Sequence, residues 1–210
     1  MRGSSQGSEG IQSVRAAITA NLASFRRADA SPAGLKAASV AIAVVLQQDV
    51  AALLITRRAL NLRSHAGQWA LPGGRRDPGE SAKDAARREL REETGVGVAA
   101  DDVLGVLDDY VTRSGYLITP VVVWGGPVRQ AMKGPAAEVA QIHVIPLADL
   151  DVAPRLLRIP ESAAPVIQLP LLGRYLHAPT AAIIYQFCQV ALHGRPVRVS
   201  HFEQPVFAWK

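Results

Sequence analysis

The sequence has little cysteine and no long apolar run, and each shortage excludes a class of protein. Cys188 is the single cysteine among 210 residues, so an internal disulfide is excluded, and we expect a reducing compartment such as the cytoplasm. No stretch approaches the roughly 18 uninterrupted apolar residues that indicate a membrane helix. We therefore expect a cytoplasmic protein that does not span a membrane.

The sequence also lacks a recognisable nucleic-acid-binding module, although its net charge is +5 and its pI is about 9.8. Zinc-finger spacing, long lysine tracts and interleaved aromatic and basic residues are all missing. Nearly all of the positive charge is arginine, whose planar fork donates two parallel hydrogen bonds to phosphate. We expect a small polyphosphate ligand and no nucleic-acid partner.

The length fits one domain with its own core. We predict an N-terminal tail and amphipathic helix over residues 1–34, a main domain over 35–195 and a C-terminal tail over 196–210. Residues 1–10 are rich in Gly and Ser and are expected to be disordered or partly ordered. Apolar residues recur at intervals of three and four over residues 11–27 and predict a helix, for which an organelle presequence is the alternative.

Strand and helix patterns alternate through the main domain. Two apolar runs separated by three polar residues predict a β-hairpin, and Pro120 is expected to interrupt a later strand. The alternation predicts an α/β fold, a three-layer α/β/α sandwich with a mixed β-sheet. The predicted elements are a hairpin over residues 38–56, strands at 102–110, 117–124 and 138–145, a short helix at 146–150, an extra hairpin or lid within 151–170 and a helix ending near 192.

Residues 74–96 contain a helix with visible ends. Ser81 is a good N-cap, and Gly95 stands where a left-handed residue ends a helix. At about 100° per residue, the core-facing stripe begins with alanine and ends with glutamate. That stripe consists of Ala82, Ala85, Ala86, Glu89 and Glu93.

Carboxylates on a core-facing side are unfavourable unless they are paired or bind a metal. Glu89, Glu92 and Glu93 converge within one helical turn and offer the hard oxygen ligands that magnesium prefers. Arg88 precedes Glu92 by four residues and can orient it. The three glutamates alone are equally consistent with a solvated acidic helix end.

The spacing of Gly74, Glu80 and residues 88–96, Arg-Glu-Leu-Arg-Glu-Glu-Thr-Gly-Val, resembles the complete Nudix box. The resemblance implies a loop-helix-loop that holds Mg²⁺ or Mn²⁺ against a diphosphate, in enzymes that hydrolyse a nucleoside diphosphate linked to another group. Position by position, it implies metal ligands at Glu89 and Glu93, a ligand or base at Glu92, an auxiliary ligand at Glu80, a carbonyl ligand at Gly74 and a positioning role for Arg88.

A narrower resemblance lies upstream of the box. Leu54-Ile55-Thr56, Arg58-Ala59, Arg63, Gly67 and residues 71–74 resemble the signature of the coenzyme A diphosphatase branch, with Ala59 and Leu71 where Ser and Phe are usual. The resemblance implies hydrolysis of coenzyme A or acyl-CoA to 3′,5′-ADP and (acyl-)4′-phosphopantetheine. The residues expected to bind this substrate are Arg58, Arg63, His65, Gly67 and Gly73.

Glu138 precedes a strand and a proline-leucine segment, an order that resembles the loop acid found after the box in many Nudix enzymes. It is therefore a candidate base or additional metal ligand, with a solvated loop glutamate as the alternative. ADP-ribose, NADH and dinucleoside polyphosphates remain open as substrates. A Nudix domain that binds a nucleotide without cleaving it is the alternative from another class, and a homodimer is compatible with the sequence.

Overall fold

The structure, a computed structural model, describes residues 3–30, 34–60, 66–128, 132 and 134–209, with the side chains of residues 3–8 outside the description. The helices are α1 (Gly3–Ser24), α2 (Ala82–Thr94) and α3 (Thr180–Phe187), the last continued by a π-helical turn, Cys188–Leu192. The strands are β1 (Lys36–Gln47), β2 (Val50–Arg58), β3 (Trp69–Ala70), β4 (Gly73–Arg75), β5 (Val103–Val106), β6 (Tyr110–Val111), β7 (Tyr116–Pro127), β8 (Val139–Pro146), β9 (Arg155–Ile159), β10 (Ser162–Leu171) and β11 (Arg174–His177).

A mixed sheet organises the fold. Its strand order is β3-β2-β1-β7-β5, with β4 paired to β1, β6 to β7 and β8 to β2. The β1–β7 pair is parallel and the other pairs are antiparallel. The predicted hairpin joins β1 and β2 through Gln48 and Asp49, whose φ angles of 50° and 62° suit a two-residue hairpin turn.

Alternating side chains of β1 place an apolar core on each face of the sheet. Ala41 and Ala43 belong to the core that contains Leu90 of α2. Ile42 and Val44 belong to the other core, which includes residues of α1 and α3. Helices thus cover both faces of the sheet, and the predicted α/β/α sandwich with a mixed sheet is confirmed.

Two local predictions are wrong. Helix α1 begins at Gly3 rather than after residue 10, and it is held to the domain by the buried Ile18 and Leu22. Strand β7 continues through Pro120, which pairs with Val40 and accepts a hydrogen bond from the Leu107 N–H. Pro120 can serve as an acceptor there because its carbonyl is unaffected by the missing N–H.

The remaining chain forms a smaller sheet and a C-terminal segment, defined as residues 196–209. The predicted hairpin at 151–170 is β9 and β10, which form a three-stranded antiparallel sheet with β11. The C-terminal segment is anchored by the buried Glu203, whose carboxylate pairs with Arg113 at 2.6 Å. In the described ranges, none of the helices is both long and apolar enough to cross a membrane.

Candidate active site

Helix α2 delivers the predicted carboxylates, and its ends are fixed as predicted. The Ser81 hydroxyl accepts a hydrogen bond from the Asp84 N–H at 3.1 Å, and Gly95 ends the helix with φ = 76°. Ala85, Ala86 and Leu90 are completely buried against the sheet. Because these apolar residues set the rotation of the helix, the glutamates of its last turns have fixed directions.

Arg88 links three of the predicted glutamates. Its Nε and Nη2 donate to the two carboxylate oxygens of Glu80, each at 2.9 Å. Its Nη1 donates to Glu89 at 2.8 Å and to Glu92 at 3.2 Å. Hydrogen bonds from Arg88 and from the Asp77 N–H lower the pKa of Glu80 to about 2. The structure therefore brings Glu80, Glu89 and Glu92 around one guanidinium.

Gly74 leaves room for the Glu89 carboxylate. A Cβ added to Gly74 would lie 2.3 Å from Glu89 Oε1 and 2.6 Å from its Cδ. The missing side chain thus allows the Glu89 carboxylate to approach the backbone of β4. Position 74 therefore requires glycine for a steric reason, in addition to the predicted role of the Gly74 carbonyl as a ligand.

We expect Gly74→Ala to displace the Glu89 carboxylate and to lower kcat/KM about tenfold or more, because misplacing a catalytic group by about 1 Å can cost about a hundredfold. The carboxylate is the mobile end of a side chain, so thermal stability should change little. Gly97→Ala is the matched control, since nothing lies within 4 Å of an added Cβ there. Steady-state kinetics that leave the two variants equal would contradict this role of Gly74.

Glu93 is the most buried glutamate of the helix, with 8% of its surface exposed. Burial and then the charge of Glu89 raise its pKa to about 7, while a hydrogen bond from the Gly73 N–H lowers it. The Thr56 hydroxyl lies 3.4 Å from Glu93 Oε2. Thr56 was not among the predicted site residues, although its place in the upstream signature was a signal for it.

The raised pKa predicts how stability depends on pH when a chelator removes divalent cations. Glu93 has a folded pKa of about 7 and an ordinary value of 4.5, so the folded state holds its proton more tightly. Its contribution to stability is complete below pH 4.5 and disappears as the pH rises through 7.

Urea unfolding measures the free energy of unfolding of Glu93→Gln relative to that of the unaltered protein. This difference should shift in favour of Glu93→Gln by about 3 kcal/mol as the pH rises from below 4.5 to above 7. Glutamine keeps the shape of the side chain and has no proton to lose in this range. If the difference in unfolding free energy between the two proteins stayed constant with pH, burial would not raise the pKa of Glu93.

Arg58, the last residue of β2, and Glu138 lie close together. Arg58 Nε is buried without a hydrogen-bond partner among the described residues, and the Arg58 charge lowers the pKa of Glu93. The Ala59 N–H donates to the Glu138 carbonyl at 2.9 Å. The charge of the exposed Glu138 raises the pKa of both Glu89 and Glu93, so this acid adds to the negative charge around the helix glutamates.

The predicted substrate-binding residues divide into two groups. Gly73 lies tightly against β1, since an added Cβ would stand 2.4 Å from the Ser39 carbonyl oxygen. Gly67 has φ = 69° and accepts a hydrogen bond from Arg57 Nε at 3.1 Å. Arg63 and His65 fall within residues 61–65, outside the described residues, and their roles stay predictions.

The glutamates of α2 suit a metal by their chemistry, although two of them are paired with arginine in this structure. Among the described residues, no three His, Cys, Asp or Glu side chains stand close enough together to hold one ion in their present positions. Glu89 and Glu92 pair with Arg88 instead. The donor chemistry nevertheless fits a hard divalent cation, because burial raises the pKa of Glu89 and Glu93 and neighbouring acids raise it further. The residues that would hold the ion are Glu89, Glu92 and Glu93, with Glu80 and the Gly74 carbonyl beside them.

Several known proteins are similar to part of this chain. Nudix hydrolase NudL of Photorhabdus laumondii is 44% identical over 98 residues, which is 46% of this chain and 52% of that protein. Nudix hydrolase 3 of Caenorhabditis elegans is 34% identical over 117 residues, 54% of this chain and 49% of that protein. The chain thus spans about half the length of the curated relatives it matches.

Solved structures are also similar, at low sequence identity. A MutT protein from Methanosarcina mazei has a TM-score of 0.49 at 22% identity, covering 78% of this chain and 96% of that one. The sequence model of the NUDIX domain matches residues 36–169, more than half of the 210 residues. That range contains α2 and all the carboxylates around it, and the chain belongs to the NUDIX domain family.

Proposed function

We propose that the chain is a Mg²⁺- or Mn²⁺-dependent diphosphatase that hydrolyses coenzyme A or acyl-CoA to 3′,5′-ADP and (acyl-)4′-phosphopantetheine. The observation that carries this proposal is the row of carboxylates along α2, where Arg88 pairs with Glu80, Glu89 and Glu92 and the buried Glu93 lies 3.4 Å from the Thr56 hydroxyl. Such a group of acids suits a divalent cation, and the Arg58 guanidinium, whose buried Nε has no hydrogen-bond partner among the described residues, suits a diphosphate. Membership of the NUDIX domain family supports the reaction class.

The choice of coenzyme A rests on the segment that precedes the box. Thr56 and Arg58, two residues of the upstream signature, lie on β2 and face Glu93. The backbone of Gly73, in the same signature, lowers the pKa of Glu93. Three residues that resemble the coenzyme A branch, Thr56, Arg58 and Gly73, therefore act on Glu93, which supports the choice of coenzyme A.

The reaction forms a bond from a water oxygen to one phosphorus and breaks that phosphorus's bond to the bridging oxygen, which leaves with the other phosphate. A divalent cation, when bound, supplies charge that neutralises the diphosphate oxygens. Arg58 adds a fixed positive charge at the end of β2. The proton of the water passes to a carboxylate, for which the exposed Glu92 and Glu138 are the two candidates.

A substrate panel tests the proposal. Purified protein is incubated with Mg²⁺ or Mn²⁺ and with coenzyme A, acetyl-CoA, ADP-ribose, NADH or a diadenosine polyphosphate, and the products are identified by chromatography and mass. We expect 3′,5′-ADP to appear fastest from the coenzyme A compounds. Faster cleavage of another diphosphate would overturn the coenzyme A assignment, and no cleavage at all would favour a binding domain.

A further inference from the structure

A cleft of about 210 Å³ lies beside the acid site and has no role in the chemistry described so far. One wall is the stretch from Gly67 to Trp69, the second is β11 with the residues that follow it, and the third is Phe207 with Ala208 of the C-terminal segment. The second and third walls lie beyond residues 36–169, the range that the NUDIX domain model matches.

The cleft is joined to the acid site through the end of β2. Arg58 exchanges backbone hydrogen bonds with the cleft wall, donating to the Gln68 carbonyl at 2.9 Å and accepting from the Gly67 N–H at 3.1 Å. The next residue, Ala59, donates to Glu138. Since β3 and β8 pair with opposite edges of β2, the cleft wall and Glu138 stand roughly two strand spacings, about 10 Å, apart.

The lining of the cleft is uncharged apart from one cation. Arg174 is its charged residue, and the described lining contains no carboxylate. Trp69, Leu176, Pro179 and Phe207 provide apolar surface. Burial lowers the pKa of His177, so its imidazole is neutral at pH 7 and offers one donor and one acceptor. This lining suits a neutral chain with amide groups better than a phosphorylated one.

The aromatic rings do not form a slot for a nucleobase. His177 and Phe207 meet edge to face, with ring centroids 5.2 Å apart and planes at 82°. Trp69 is tilted by 59° against His143 of β8. A base is held best between parallel faces, and neither of these pairs provides them. The geometry favours a flexible arm that lies across the rings.

We propose that this cleft binds the uncharged pantetheine arm of the substrate, with any acyl group on its thiol, and that Phe207 of the C-terminal segment is a specificity residue for that arm. The inference rests on the proposed function, because coenzyme A is the substrate whose diphosphate joins a phosphorylated nucleoside to a neutral arm. Gln204 supports the wall, since its carbonyl accepts a hydrogen bond from Trp209 Nε1 at 2.9 Å.

The test measures the affinity of the full chain for each of the two reaction products separately, by calorimetric titration in Mg²⁺. Phe207→Ala should weaken binding of 4′-phosphopantetheine about tenfold, the loss expected for one aromatic contact, and leave the affinity for 3′,5′-ADP within about twofold. Val206→Ala is the matched control, because Val206 is the neighbouring residue, does not line the cleft and is 40% exposed against 54% for Phe207.

Each other outcome has a distinct meaning. Weaker binding of 3′,5′-ADP alone would place the nucleoside in the cleft and overturn the inference, as would unchanged affinity for both products. Equal losses in the Val206 and Phe207 variants would overturn the specific role of Phe207. If neither product binds the unaltered protein, the proposed function itself falls, and the inference falls with it.

Discussion

Glu93→Gln is expected to lower kcat at saturating Mg²⁺ by roughly a hundredfold or more. The substitution removes the charge of a buried carboxylate that we propose as a cation ligand and keeps the side-chain shape, so the cation and the diphosphate should lose stabilisation in the transition state. Cation stabilisation is worth several kcal/mol, and each 1.36 kcal/mol is tenfold in rate. Product formation from coenzyme A, followed by chromatography, measures the effect.

The control for this variant is Glu161→Gln, which removes an exposed glutamate on the turn between β9 and β10. Its turnover should equal that of the unaltered protein. Circular dichroism and thermal unfolding should show both variants folded, because Glu161 is exposed and burial already disfavours the charged form of Glu93 when no cation is bound. Unchanged turnover of Glu93→Gln in saturating Mg²⁺ would remove Glu93 from the metal site.

Arg88→Met is expected to lower kcat/KM by about a hundredfold, because the guanidinium sets the positions of Glu80, Glu89 and Glu92. Stability without divalent cations should fall by only about 1–2 kcal/mol, since the Arg88 side chain is 25% exposed. Saturating Mg²⁺ should restore more of the stability than of the activity, because a cation replaces the charge but not the hydrogen-bond geometry.

Arg91→Met provides the comparison on the same helix. The Arg91 side chain is exposed and makes no hydrogen bond or ion pair with the described residues. Its loss should leave kcat/KM within about twofold and stability within about 0.5 kcal/mol. Equal losses of kcat/KM in the Arg88 and Arg91 variants would contradict the positioning role of Arg88. They would show that activity depends only on the positive charge of the helix.

The features that the sequence predicts well are local. The bounds of α2 follow from Ser81 and Gly95, and its buried face follows from the helical period of the alanines. The β1–β2 hairpin follows from two apolar runs with a short polar turn. These signals lie within about one element, so no knowledge of the neighbouring strands is needed to interpret them.

The features that the sequence does not predict depend on distant pairings. Thr56 of β2 lies 3.4 Å from Glu93 of α2, 37 residues further along the chain, and Glu138, a candidate by resemblance alone, lies at the end of β2 because β8 pairs with β2. The C-terminal segment has no periodic pattern. It is held against the domain by an ion pair between Arg113 and Glu203, which are ninety residues apart in the sequence. Chain order alone carries no information about these contacts.

We propose that the carboxylates of α2 hold a divalent cation, and Mn²⁺ titration followed by electron paramagnetic resonance tests this most directly. The unaltered protein and Glu161→Gln should bind Mn²⁺ with equal affinity, and Glu93→Gln should bind it at least about tenfold more weakly, a loss of about 1.4 kcal/mol. Mn²⁺ affinity that is the same in all three proteins would contradict the claim.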